Sequence, residues 1–363
     1  MERRVQWILL ATKNKTCKKM REAAKNFESK RKSVDMTSPE ALSLMDNLER
    51  ALLKGYSFIT YLDEVYPEEL RNIAYPPPYL FVRGNLNLLA HPLKAAIVGS
   101  REATPYGLNT AADFAHTLAA SNVCIVTGGA RGIDAAAIRG ALRHKGNIIV
   151  VAGTGIDVDY PPENAELFYT MCEKGGLIVS EFPMGMGPLG RNFPVRNRIM
   201  TAISESVTIV EAAEKSGALI SASYGAEQGK SVFAVPGNID SPNSVGTNAL
   251  LRDGALMATS GRDILYEMME RVPEKFRAAQ GFEPEGVRHT PVFNQRAAAP
   301  KENESCLSPY ENMVVNALKT GKSTYEEIMD FTNLEAKKLT SLLTIMEIKG
   351  IIKLAFNNRY KLN

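Results

Sequence analysis

Between residues 94 and 258, short apolar, β-branched runs alternate with amphipathic stretches. The runs at 95–98, 123–127, 148–152, 177–180, 207–210, 231–235 and 255–258 are almost continuously apolar, as strands buried on both faces are. The stretches near 106–120, 133–144, 163–174, 217–228 and 246–252 carry helical spacing instead. This alternation predicts an α/β fold: an extended Rossmann-like, mostly parallel sheet covered by helices on both faces. In such sheets ligands bind outside the carboxyl ends of the strands.

The flanks differ. Ser38-Pro39-Glu40 opens a helix whose Leu42, Met45, Leu48 and Leu52 recur at spacings of three and four, and Gly55 ends it. Pro76-Pro77-Pro78 leads into an entry strand at 79–82. Residues 1–35 are weakly patterned: a partial helix, a flexible basic arm and a start-site artefact all fit, since Met36 opens a cleaner segment. Residues 272–305 have the composition of a linker. Beyond it, helices at 308–319, 324–331 and 335–349 precede strands at 351–354 and 359–362 around Asn357-Asn358. Three helices and a hairpin predict a small C-terminal winged-helix domain, a helix-turn-helix variant. The expected organisation is therefore a short basic/helical segment at 1–55, the sheet domain at 56–271, a linker at 272–305 and the winged helix at 306–363.

Composition narrows the function. The length of 363 residues allows two or three domains, and 45% hydrophobic with 23% charged residues is ordinary for a soluble protein. No apolar run reaches the ~18 residues of a membrane span, and 7–11 is too short for an export signal. The four cysteines form no CxxC pair, which argues against a metal site or disulfides and fits the cytoplasm. The net charge of +3 hides an asymmetry: residues 1–35 hold 11 Lys/Arg against 4 Asp/Glu, or +7, leaving 3 − 7 = −4 for the rest. A slightly acidic body can bind nucleic acid only through a local basic patch.

Phe193-Pro194-Val195-Arg196-Asn197-Arg198 is the strongest candidate for that patch; the competing reading is a buried structural Arg pair closing a sheet edge. Arginine offers a planar fork to phosphate and a face to a base, and a phenyl ring is a sequence-blind stacking platform. Gly99-Ser100-Arg101 ends the first core strand, where backbone N–H groups and the Arg make an anion cradle. Gly128, Gly129, Arg131 and Gly132 follow the second strand and let a backbone approach closely; Asp134 is expected to cap the next helix. Glu181 is expected to pair with one of the arginines, and Ser216-Gly217 opens a further helix. Together these turns predict one basic groove for single-stranded nucleic acid. No GxxxxGK[ST], GxSxG or HExxH occurs, and His91, His116, His144 and His289 fall in no catalytic motif, so no enzyme, cofactor or metal is expected.

GSR at 99–101, TGGARGID at 127–134, GIDVDYPPEN at 155–164, SEFP at 180–183, FPVRNR at 193–198, SGALISA at 216–222, and VPG with GTNALLRDGA across 235–255 occur in this order. The chain in this respect resembles the DprA/Smf family of DNA-processing proteins, from about Phe58 to Ala258 and again over its last ~55 residues. The resemblance implies a single-stranded-DNA-binding Rossmann-like core that dimerises, protects incoming DNA and delivers the recombinase RecA onto it during natural transformation. It implies phosphate contacts for Arg101, Arg131, Arg196, Asn197 and Arg198. The GTNALLRDGA segment, with Leu250, Leu251 and the adjoining Leu256, could seal the sheet edge or form the two-fold interface. The sequence departs from the family twice: Ile138 stands where a His is usual, and the helical N-terminal domain looks truncated. A nucleotide phosphoribohydrolase is the competing reading, but the carboxylate of its PGGxGTxxE loop is replaced by Leu250. A duplex-binding transcription factor is the third, weakened by Glu326, Glu327, Asp330, Glu335 and Glu347 among the C-terminal lysines.

Overall fold

The computed structural model describes residues 2–13, 16–29, 35–144, 147–281 and 309–332, and beyond these 334, 339, 343, 346, 351–355 and 359–362. The chain divides into two compact units, Met1–Val287 and Arg288–Asn363.

In the larger unit, the apolar runs become strands and the amphipathic stretches helices, as expected. In chain order they are α1 (Glu2–Thr12), α2 (Cys17–Ser29), α3 (Pro39–Leu53), β1 (Ser57–Thr60), α4 (Glu68–Arg71), β2 (Tyr79–Gly84), β3 (Lys94–Val98), α5 (Pro105–Ala120), β4 (Cys124–Thr127), α6 (Ile133–Leu142), β5 (Ile148–Val151), α7 (Ala165–Glu173), β6 (Leu177–Ser180), α8 (Asn192–Ala202), β7 (Ser206–Ile209), α9 (Ala218–Glu227), β8 (Ser231–Ala234), α10 (Val245–Arg252), β9 (Leu256–Met257), α11 (Gly261–Arg271) and α12 (Pro273–Ala279). They form one sheet in the order β1-β2-β6-β5-β4-β3-β7-β8-β9. Strands β3 to β9 are parallel, while β2 runs antiparallel to β6 and β1 to β2. The chain winds outward from β3 through β4 and β5 to β6, then returns to the other side of β3 with β7. The loops after β3 and β7 therefore diverge, and a crevice opens between them at the carboxyl end.

Several local expectations change. Residues 1–35 contain two packed helices: α1 buries Val5, Trp7, Ile8 and Ala11, and Trp7 lies 5.7 Å from Phe27 and 5.8 Å from Tyr61. The pattern looked weak because, among its described side chains, α2 buries only Met20 and Phe27, one heptad apart. Residues 193–198, expected in a loop, lie in the first half of α8. Strand β1 was not expected, and α12 lies in the stretch expected to be linker. Ile138, at the family's usual His, is fully buried and belongs to the apolar face of α6.

The smaller unit has helices α13 (Pro309–Lys319) and α14 (Tyr325–Thr332) and the antiparallel pair β10 (Ile352–Ala355) and β11 (Arg359–Leu362). Val314, Ile328, Leu339, Leu343, Met346 and Ile352 share one buried cluster. Most of the helix expected at 335–349, and the Asn357-Asn358 turn, lie outside the described residues.

Candidate nucleic-acid interface

A groove of about 740 Å³ opens at the switch point. Its walls are the turn after β3 (Gly99, Ser100, Arg101), the turn after β7 with the start of α9 (Lys215, Ser216, Gly217), and the first two turns of α8 (Phe193, Pro194, Asn197). The turns fasten one another. The Ser100 N–H donates to the Glu211 carbonyl at 2.8 Å, and the Ile133 N–H donates to the Ser100 carbonyl at 3.2 Å. Gly132 has φ +69°, and a Cβ there would stand 2.3 Å from the Ser100 oxygen. Only glycine fits this contact between the turns after β3 and β4.

Asp134 does not cap α6 as expected. It sits inside the first turn, after Gly132, and its carboxylate accepts the N–H groups of Gly128 and Ala130, both at 3.1 Å. It therefore staples the glycine loop. Burial raises its pKa, opposed first by the charge of Arg196 and then by those two N–H groups.

The arginines of the FPVRNR run do not present two open forks. Arg196 is 5% exposed and donates to the carbonyls of Gly128 (2.7 Å) and Val151 and to Asn197 Oδ1 (3.0 Å). A Cβ on Gly128 would come within 2.1 Å of its guanidinium. Burial brings Arg196 down to about 10, with Asp134 opposing the shift, so it stays protonated at neutral pH. Arg196 and Asp134 are thus opposite buried charges, each fastened to the glycine loop and each lining the groove floor. Arg198 is held by Glu181 through two hydrogen bonds of 2.7 and 2.6 Å, the pairing expected of Glu181, and donates to the Tyr75 carbonyl at 3.0 Å. Asn197 is buried and lines the groove floor. The reason is helical geometry: once 192–202 is a helix, positions 196 and 197 turn inward.

The open cation is Arg101. It is exposed, no acid pairs with it among the described residues, and its guanidinium lies 4.9 Å from the centre of the Phe193 ring. Phe193 is held by Tyr160 at 5.6 Å and by Gly153, where a Cβ would stand 2.7 Å from the ring. Arg131 lines the adjoining mouth and pairs with Glu163 at 2.6 Å. Both groups are exposed, so the pair is weak and Arg131 can exchange partners. Gly129 packs instead on Val150 and Phe168.

Sequence reasoning missed Lys215 and Arg191, both exposed. The signal for Lys215 was its place directly before Ser216-Gly217. Ser221, also missed, lines the groove one turn into α9, and its hydroxyl is buried without a partner. Leu250 and Leu251 are partly buried on α10, and Leu256 and Met257 of edge strand β9 are 40% and 58% exposed.

Among the described residues no helix is long and apolar enough to cross a membrane. The sequence profile described as DNA recombination-mediator protein A matches residues 57–269. Protein Smf of Escherichia coli is 42% identical over 205 residues, 56% of this chain and 54% of that protein, so the chain spans about half of that relative's length. The X-ray structure of DNA processing protein A from Streptococcus pneumoniae has a TM-score of 0.57 at 32% identity, covering 74% of this chain and 93% of that one. DNA processing protein A from Helicobacter pylori, whose structure concerns its single-stranded DNA binding mode, has a TM-score of 0.53 at 31% identity, covering 59% and 96%.

Proposed function

The chain belongs to the DNA recombination-mediator protein A family, and from that premise we propose that it holds single-stranded DNA in the groove at the switch point. The observation that carries this reading is Arg101, an exposed guanidinium with no acidic partner among the described residues, lying on an aromatic ring at the groove mouth. Its N–H groups suit phosphate oxygens, and the stacked pair offers a flat face to an unpaired base. A second phosphate fits the start of α9, where Lys215, Ser216, the helix dipole and the unpartnered Ser221 hydroxyl converge. Arg131 and Arg191 add charge at the rim, whereas Arg196, Asn197 and the glycines shape the floor. Contacts of this kind position a backbone and do not read bases.

The role is that of a mediator and not of an enzyme: it protects incoming strands in the cytoplasm and loads RecA on them during natural transformation. The loop a phosphoribohydrolase would use is locked by Asn248, which exchanges two hydrogen bonds with Gly237 at 3.3 and 3.0 Å. Glu211, the carboxylate that shares a cavity with Pro236 and Gly237 of that loop, accepts both the N–H and the hydroxyl of Thr104, at 2.9 and 2.5 Å. The exposed Leu256 and Met257, with Leu250 and Leu251 behind them, suit a homodimer, which would place two grooves on one strand. Leu256→Glu should shift sedimentation toward a monomer; a wild type already monomeric at micromolar concentration would overturn the dimer. The C-terminal unit, as a winged helix, would add a surface for duplex or protein.

Titration of fluorescent oligonucleotides tests the reading. Single strands should bind tighter than duplexes, with little base preference. With about four phosphates neutralised, by Arg101, Arg131, Arg191 and Lys215, log K should fall with log salt at a slope of about −3. Tighter duplex binding or a flat salt response would contradict it.

A further inference from the structure

We propose that the N-terminal helices α1 and α2 form a second phosphate-binding surface that carries the strand onward from the groove, an extension that rests on the reading just given. The excess of +7 over residues 1–35 has no role in the groove itself. In the folded protein, α2 turns Met20 and Phe27 into the core and leaves Lys18, Lys19, Arg21 and Lys25 exposed, with Glu22 among them. These four cations lie within about 11 Å of helix. The fully buried Trp7 of α1, packed on Phe27 and Tyr61, holds that face as a fixed surface.

The surface begins where one wall of the groove ends. Pro194 lines the groove, and the next residue, Val195, is 43% exposed. Arg198 donates to the carbonyls of Val195 (3.2 Å) and Tyr75 (3.0 Å). In the same short loop, the Ala74 carbonyl accepts the N–H of Cys17, the first residue of α2, at 2.9 Å, and Asn72 accepts from Arg21. Tyr75 is 56% exposed on this bridge and gives a base a ring to rest on. Of the acids along the path, Glu181 is engaged by Arg198 and Glu68 by Arg71, while the exposed Glu22 sits among four cations. A lipid surface fits less well, because the apolar side of α2 is buried and leaves nothing to insert.

The test compares Lys18→Gln/Lys19→Gln with wild type on oligothymidylates of about six and about thirty nucleotides, the shorter sized for one groove. The short strand should bind both proteins equally. The long strand should bind the variant about 25-fold more weakly near 0.1 M salt, with a salt slope shallower by about 1.4, because two single-strand phosphate contacts are lost. Lys18→Glu/Lys19→Glu, melting at the wild-type temperature, should increase the loss. Unchanged long-strand affinity and slope in either folded variant would overturn the extension while leaving the groove intact. Failure of wild type to bind either strand would overturn the groove reading and the extension with it.

Discussion

Replacing Arg196 by alanine is expected to destabilise the sheet unit by about 3–5 kcal/mol, because two buried carbonyls lose their donor at about 1–3 kcal/mol each and a buried carboxylate loses a nearby opposite charge. The carbonyls are those of Gly128 and Val151, and the carboxylate is that of Asp134. At roughly 2–4 °C per kcal/mol for a unit of this size, the melting temperature should fall by about 6–20 °C. Calorimetry without DNA measures it. The pH dependence follows from Asp134, whose pKa is already raised by burial. A group raised in the folded state contributes stability below its unfolded pKa and loses it as pH rises through the folded value. Removing Arg196 raises Asp134 further. The deficit against wild type should therefore be smallest in acid and grow toward neutral pH. A variant that melts like wild type would show that Arg196 is a ligand group and not a structural one.

Arg101→Ala should have the opposite signature. Its guanidinium touches Phe193 and no acid among the described residues, so the melting temperature should hardly move. Single-strand affinity should drop by about 1.5–3 kcal/mol, the value of a charge-assisted phosphate contact, or about one to two decades. Phe193→Ala should lose about 1–3 kcal/mol of binding if the ring supports a base. Because the guanidinium covers the ring at 4.9 Å, the two act as one unit. The double variant should lose less than the sum of the singles, as contacting residues do. Full additivity would mean that they serve separate parts of the ligand.

The sheet was legible because the six parallel strands β3 to β8, buried on both faces, leave near-continuous apolar runs. The position of the groove followed from where those strands end. Arg101, Phe193 and the glycine loop were legible for the same reason: each immediately follows a strand or sits in a run of unusual chemistry. The orientation of Arg196 was not legible. Its sequence neighbours suggest an open phosphate fork, and only the helical phase of α8, set by packing of Ile199 and Met200, turns it inward. Asp134 was misplaced by two positions, because Gly132 with its positive φ takes the boundary that a capping carboxylate would occupy. The N-terminal helices were hidden by their own charge. A helix that buries one side chain per heptad and shows lysine elsewhere has too little apolar periodicity to stand out, yet Trp7 and Phe27 dock it firmly.

The most direct test of the groove is photocrosslinking of an iodouracil-substituted single strand to the wild-type protein, with the attachment sites mapped by mass spectrometry. The account expects adducts at Phe193 and Tyr160 and on the peptides spanning 99–102 and 213–218, suppressed by unlabelled single strand and by high salt. Adducts confined to the C-terminal unit, or insensitive to competitor, would contradict it.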